Sequence, residues 1–148
     1  GFLTITDERM TRFNITLNDG VGFVLSCLDK MWGGELFVPK IPSYKITDVA
    51  KAVAPECELK IVGIRPGEKL HEEMITVTDS SNTVEFEKYY VILPSSEKIY
   101  WSKQDFIDQS STVSGKMCED GFSYDSSSNT SFLTVDELKK LINENVNQ

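Results

Sequence analysis

Lys60-Ile61-Val62-Gly63-Ile64-Arg65-Pro66-Gly67-Glu68-Lys69-Leu70-His71-Glu72 is an apolar run that stops at a cation, a Pro-Gly pair and a carboxylate. Residues 59–64 read as a buried strand, rich in β-branched side chains, with Gly63 small enough to let another backbone approach. Pro66 suits the first turn of a helix, because its fixed φ matches that position and its missing N–H has no partner there anyway. The spacing therefore predicts a strand, a turn and a helix over 67–75. In open α/β sheets, ligands sit where such strands end. On the predicted helix Leu70 and Met74 share a face, while Lys69, Glu72 and Glu73 take the solvent.

Outward from this stretch, Thr16 stands as an N-cap with Asp19 at N3. Leu17, Val21, Val24, Leu25 and Leu28 then recur at helical spacing until Gly33-Gly34, which predicts an amphipathic helix. Residues 35–39 read as a short strand carrying Leu36, Phe37 and Val38, and Thr47 caps a second short helix carrying Val49, Ala50 and Val53 before Pro55. Segments 83–86 and 89–93 read as two strands of a hairpin or an extended arm, linked by the charged Glu87-Lys88 turn. From 95 to 130 the periodicity fades, and 123–131 is dominated by Ser and Asn, which predicts an extended or partly mobile segment whose aromatics dock it somewhere. Thr134-Val135-Asp136-Glu137 is a T-x-x-E capping box ahead of Leu138, Leu141 and Ile142 on one helical face. The fold class is mixed α/β (α+β), divided as 1–94, a docking segment 95–131 and a terminal helix 132–148.

A length of 148 residues, 40% hydrophobic and 26% charged, is ordinary globular composition with room for a modest core. The net charge of −8 and the absence of any Lys/Arg run argue against nucleic acid as a partner, yet leave room for a small anion held by a few converging cations. Cys27, Cys57 and Cys118 are odd in number, with no C-x-x-C pair and no neighbouring His, so they read as free thiols of a reducing cytoplasm rather than metal ligands. No run approaches the roughly 18 apolar residues that a membrane span needs. The start at Gly1-Phe2-Leu3, without Met, reads as a piece cut from a longer chain, although processing or a tag remnant looks the same. No Gly-rich phosphate loop follows a predicted strand, so a dinucleotide has no seat here.

Arg65 and Glu68 are three apart across the turn, so both can point into one crevice. A planar guanidinium fork matches a phosphate, and a carboxylate accepts two bonds from a vicinal diol. The same pair also reads as a surface ion pair at a helix start. Arg12, four residues ahead of Thr16, emerges near the first helix's N-terminus, where anions are favoured, and could be a second hand on a pyrophosphate. Alternatively, Arg9 and Arg12 simply pair with Asp7, Glu8 or Asp19. His71-Glu72-Glu73 lacks a second His at i+4 and its neighbours diverge around the helix, so His71 reads as a packing or hydrogen-bonding residue. Trp32, Trp101, Tyr89, Tyr90 and Tyr100 read as core or interface anchors. The serines at 126–128 have no G-x-S-x-G context.

Three motifs carry a resemblance: Thr4-Ile5-Thr6-Asp7-x-Arg9-Met10-Thr11-Arg12-Phe13, Gly33-Gly34-Glu35-x-Phe37-Val38-Pro39-Lys40 and Gly63-Ile64-Arg65-Pro66-Gly67-Glu68-Lys69-Leu70-His71-Glu72. They resemble the C-terminal part of the nucleotide-sugar 4,6-dehydratases, and more narrowly the inverting UDP-N-acetylglucosamine 4,6-dehydratases of flagellin glycosylation and surface polysaccharide synthesis. These are extended short-chain dehydrogenase/reductases. The resemblance runs over nearly the whole chain, including Tyr124-Asp125-Ser126-Ser127 and the last helix.

It implies a small C-terminal substrate domain lacking the Rossmann half, which in the family carries NADP and the catalytic Tyr and Lys. It also implies that Arg65 holds the pyrophosphate, that Glu68 holds the uridine ribose, and that Arg12 is the other phosphate-binding Arg, with Arg9, Met10 and Thr11 lining the same loop. The implied partners are a UDP-sugar, the missing Rossmann domain and further copies of the full-length enzyme. Asn14 stands where a bulky residue would be unsurprising, and no Tyr-x-x-x-Lys is present, so the chain alone should be inactive because the nicotinamide carries the redox step. Two other readings stand beside this one: an interaction module without nucleotide binding, and a hydrolase or metal enzyme centred on His71.

Overall fold

A computed structural model describes residues 1–95, 100–109 and 115–145. In chain order it contains strands β1 (Phe2–Ile5) and β2 (Thr11–Phe13), helix α1 (Leu17–Leu28), β3 (Leu36–Pro39), β4 (Ser43–Lys45), helix α2 (Ile46–Val53), β5 (Glu58–Ile61) and β6 (Glu73–Ile75). A 3-10 helix (Val77–Asn82) leads to β7 (Thr83–Glu85), β8 (Tyr89–Ile92), helix α3 (Lys103–Gln109), β9 (Lys116–Met117), β10 (Tyr124–Asp125) and helix α4 (Val135–Asn145). The fold is mixed α/β, as the sequence implies. Among the described residues no helix is long and apolar enough to cross a membrane.

The chain forms two compact units, each discontinuous in sequence: 1–16, 41–73 and 125–148 make the first, and 17–40 with 74–124 the second. Consecutive pieces 1–94, 95–131 and 132–148 therefore do not follow the packing, because residues distant in sequence share one body.

In the first unit β1 and β5 pair in parallel from Phe2↔Glu58 to Ile5↔Ile61, and β2 pairs antiparallel with β4. Helix α2 packs on α4, burying Ala50 and Leu138. It begins one residue before Thr47, so Thr47 is not its cap. Its N-cap is Lys45, which makes no side-chain capping bond, and the Ile46 N–H donates to the Met10 carbonyl at 3.0 Å instead, so a long-range backbone acceptor replaces the cap. The capping box of α4 forms as predicted: Thr134 N–H donates to Glu137 Oε2 at 2.8 Å and Glu137 N–H to Thr134 Oγ1 at 3.3 Å.

The Ser-rich segment docks here. Asn129 Nδ2 donates to the Ile41 carbonyl, the Ser43 N–H to the Ser131 carbonyl, and the Leu133 N–H to the Ser43 carbonyl.

The second unit is built on an antiparallel sheet of order β3-β8-β7-β9. The predicted hairpin is its centre, closed by Phe86 N–H donating to the Tyr89 carbonyl at 2.9 Å around Glu87-Lys88. Val84, Phe86, Val91, Leu93 and Phe106 form its core, with Phe37, Tyr89, Trp101 and Ile107 packed around them. Trp32 stands edge-on to Trp101 and Phe106, and Trp101 Nε1 donates to the Gly33 carbonyl, so both tryptophans anchor structure as expected. Tyr100, by contrast, is fully exposed. Helix α3 occupies part of the segment predicted to be extended, whereas 96–99 and 110–114 of that segment lie outside the described residues, as do 146–148 of the terminal helix.

Helix α1 begins directly after Thr16 and has the predicted apolar stripe, but none of its residues is buried: Leu17 is 82% exposed and Val21, the least exposed of the five, 51%.

Candidate functional site

The stretch that opened the reading folds differently from the helix predicted for it. Arg65-Pro66-Gly67-Glu68 is a β-turn closed by the Glu68 N–H donating to the Arg65 carbonyl at 3.1 Å, with Gly67 at φ +81°. Pro at the second position and a positive-φ Gly at the third are what a type II turn requires. A right-handed helix cannot pass through that Gly67 conformation, so residues 69–72 run on without helix to β6.

Thr6, just past β1, holds both sides of this loop. Its carbonyl accepts from the Gly63 N–H at 3.1 Å, and its hydroxyl donates to Glu68 Oε1 at 3.4 Å. The other carboxylate oxygen of Glu68 accepts from the Arg65 N–H at 3.2 Å. Glu68 is half-buried and keeps lone pairs for a further donor. Arg65 is exposed, and its guanidinium meets no partner among the described residues.

Arg12 is placed otherwise. Its Nη1 donates to the carbonyls of Thr11 (2.7 Å) and Leu70 (3.1 Å). Nη2 donates to the Lys69 carbonyl (2.9 Å) and reaches Met10 Sδ (3.8 Å), while Nε faces Glu72 Oε1 at 3.3 Å. Of the five N–H donors of the guanidinium, four are hydrogen-bonded inside the chain, and the fifth, on Nε, lies in an ion pair with Glu72. Arg12 thus ties strand β2 to the loop that carries Arg65 and Glu68.

Arg9 forks onto Asp7, with Nε to Oδ1 at 2.9 Å and Nη2 to Oδ2 at 2.8 Å, and this bonding lowers the Asp7 carboxyl to about 2. Met10 is 1% exposed and lies in the core. Thr11 is buried as well, its hydroxyl within 2.8 Å of His71 Nδ1 and 2.6 Å of Ser126 Oγ. His71 is therefore a hydrogen-bonding residue, as read from the sequence.

The structure brings Arg65, Glu68 and, through the 69 and 70 carbonyls, Arg12 to one loop. It turns Met10 and Thr11 inward and gives Arg9 to Asp7. Sequence reasoning missed Thr6 and Ser126, whose partners lie 62 and 115 residues away, beyond the reach of any local pattern. Two concavities of about 330 and 270 Å³ lie in the second unit, lined around Glu85 and Phe122 and around Phe23 and Tyr89; neither is lined by Arg12, Arg65 or Glu68.

A family model described as polysaccharide biosynthesis protein matches residues 1–94. Over 141 residues the chain is 53% identical to an inverting UDP-N-acetylglucosamine 4,6-dehydratase of Campylobacter jejuni, which takes in 95% of this chain and 42% of that protein. A UDP-glucose 4-epimerase of Rickettsia akari is 31% identical over 144 residues, 95% of this chain and 40% of that one. Among solved structures, the X-ray structure of Pen from Bacillus thuringiensis superimposes with a TM-score of 0.70 at 24% identity, covering 96% of this chain and 39% of that one, and speaks for the fold alone. The chain thus spans about two fifths of the length of these relatives.

Proposed function

The chain belongs to the polysaccharide biosynthesis protein family, and from that premise we propose that it is the UDP-sugar-binding portion of an NADP-dependent UDP-N-acetylglucosamine 4,6-dehydratase. Its product would feed surface polysaccharide or flagellin glycan synthesis in the cytoplasm, a setting that the three free thiols suit. The observation that carries the proposal is the exposed guanidinium of Arg65, unpartnered among the described residues, next to Glu68 on a turn braced by Arg12 and Thr6.

In this reading Arg65 takes the pyrophosphate as a bidentate fork and the Glu68 carboxylate accepts from the ribose hydroxyls. Arg12 would reach a phosphate only by exchanging internal partners, so its contribution in this conformation is to keep the turn in place. Binding the nucleotide end supplies orientation for chemistry at the sugar.

The residues present do not fit a dinucleotide. Of the five glycines with positive φ, Gly33, Gly34, Gly63, Gly67 and Gly121, none belongs to a G-x-G-x-x-G turn ahead of a helix. NADP, which supplies the hydride transfer when bound, would belong to residues beyond these 148.

The test is a UDP titration followed by amide shifts. Wild type binds, Arg65→Ala binds at least about tenfold more weakly, and no sugar is turned over. Unchanged affinity in Arg65→Ala refutes the grip.

The bare stripe of α1 favours a second reading, that this portion serves assembly, with the stripe meeting the remaining length of the full protein or another copy. With another copy as the cover, that reading predicts self-association in sedimentation without any UDP affinity.

A further inference from the structure

Ser126 lies inside a turn that is already locked by its own neighbour. Asp125 Oδ1 accepts from the Ser127 N–H (2.8 Å), the Ser127 hydroxyl (2.6 Å) and the Ser128 N–H (3.0 Å). The turn therefore needs nothing from Ser126 to keep its shape. Ser126 itself is fully buried and points its bonding groups at the loop of the candidate site.

Its N–H donates to the Glu72 carbonyl at 2.7 Å, and its Oγ accepts from the Glu72 N–H at 3.0 Å. One serine thus holds both backbone polar groups of Glu72. The Glu72 carboxylate faces Arg12 Nε, and Arg12 holds the carbonyls of Lys69 and Leu70, the two residues that follow Glu68.

The hydroxyl protons order themselves. Because Ser126 Oγ accepts from Glu72, its own proton goes to Thr11 Oγ1, and the Thr11 proton goes on to His71 Nδ1. The reverse polarity would leave the Ser126 proton without an acceptor among the described residues, a costly state for a buried hydroxyl. The rest of the segment is fastened elsewhere, through Asn129, Ser131 and Leu133 to Ile41 and Ser43. Removing the Ser126 hydroxyl would leave the segment docked and release only the loop.

We propose that Ser126 is a positioning residue for the nucleotide grip, fixing Glu72 and, through Glu72 and Arg12, the turn that presents Arg65 and Glu68. The inference rests on the UDP-binding reading above, and its test separates the two.

UDP is titrated into the wild-type chain and into Arg65→Ala, Ser126→Ala, Ser126→Cys and Thr11→Val, with amide shifts recorded throughout. Ser126→Ala is expected to weaken UDP about tenfold and to move the free-state amides of Arg65, Gly67 and Glu68. Ser126→Cys, close in size and a weak acceptor, should recover part of both effects and supplies the comparison if the Ala variant does not fold. Thr11→Val removes the next hydroxyl at constant volume and with it the acceptor of the Ser126 proton, so it should shift His71 Nδ1 and weaken UDP by less than Ser126→Ala does.

If Arg65→Ala loses UDP and Ser126→Ala keeps it, Ser126 is merely structural and the inference is overturned with the grip intact. If wild type takes up no UDP, the binding reading fails. The free-state amides then decide the positioning claim: shifts confined to Thr11, His71, Glu72 and 124–128 overturn it, and shifts that reach Arg65–Glu68 sustain it.

Discussion

Replacing Arg12 by Ala tests whether that side chain braces the loop. Three of its five donors end on backbone carbonyls, those of Thr11, Lys69 and Leu70, and Nε forms an ion pair with the Glu72 carboxylate. A hydrogen bond from a charged donor contributes about 1.5–3 kcal/mol when buried, so three set a ceiling of about 5–9 kcal/mol. The real loss is smaller. The side chain is 20% exposed, so water can reach some of the carbonyls, and Leu70 O retains the Thr11 N–H as a second donor. Glu72 is 44% exposed, and such a pair adds at most about 1 kcal/mol.

Arg12→Ala should therefore destabilise the first unit by about 3 kcal/mol, a large part of a typical domain's margin. Arg12→Lys should recover only about 1 kcal/mol, because an ammonium on a flexible stem cannot replace a planar fork that spans three carbonyls. Both tryptophans belong to the second unit, so the readout is far-UV circular dichroism in urea together with amide exchange at Val62 and Gly63, whose N–H groups donate to the Ile5 and Thr6 carbonyls. If Arg12→Ala stays within about 0.5 kcal/mol of wild type, or Arg12→Lys is fully restored, the bracing argument is wrong.

Gly67→Ala and Gly115→Ala should both destabilise, for opposite reasons. At Gly67 an added Cβ meets open space but φ is +81°, which costs about 1 kcal/mol. At Gly115 the Cβ would stand 2.6 Å from Val84 Cγ1 and 2.7 Å from the Phe86 ring, an overpacking of about 1–3 kcal/mol, and thermal melts should rank it the worse of the two.

Burial acts to raise the Asp125 carboxyl, yet the bonds from Ser127 and Ser128 outweigh it and bring it from 3.8 to about 2. Its contribution is complete above about pH 4 and is lost as pH falls through about 2, so Asp125→Asn should be less stable at neutral pH and show a flatter acid limb between those values.

Burial pushes the Cys118 thiol up to about 11, so iodoacetamide at pH 8 should label it far more slowly than free cysteine. Leu25→Asp, on the bare stripe of α1, should leave this chain within about 0.5 kcal/mol of wild type. In a protein extended to the relatives' full length it should lower the melting temperature, and no such difference would refute the stripe as a contact surface.

What the sequence made legible divides along the range of the interactions. Helix α4 and the β7–β8 hairpin follow from signals within a few residues, a T-x-x-E box and a charged two-residue turn between apolar runs, and both form where predicted. Local periodicity also locates α1, but it says only that a stripe is apolar, not what covers it. Pro66-Gly67 is ambiguous locally, since Pro fits both the first turn of a helix and the second position of a type II turn. Arg12 draws the 69 and 70 carbonyls away from helix geometry across 57 and 58 residues, a contact no window contains.

The same distance effect separates the two arginines that the motifs present as equals. A guanidinium with both of its terminal nitrogens hydrogen-bonded in its own chain gains little from an added phosphate unless it gives up bonds that hold the loop. One with its donors in water gains the full charge-assisted pair. Arg12 is in the first condition and Arg65 in the second. The prediction that follows is a split in kind: Arg65→Ala should reduce UDP affinity with stability unchanged, and Arg12→Ala should reduce stability and affinity together. A stability-neutral loss of affinity in Arg12→Ala would return it to the ligand.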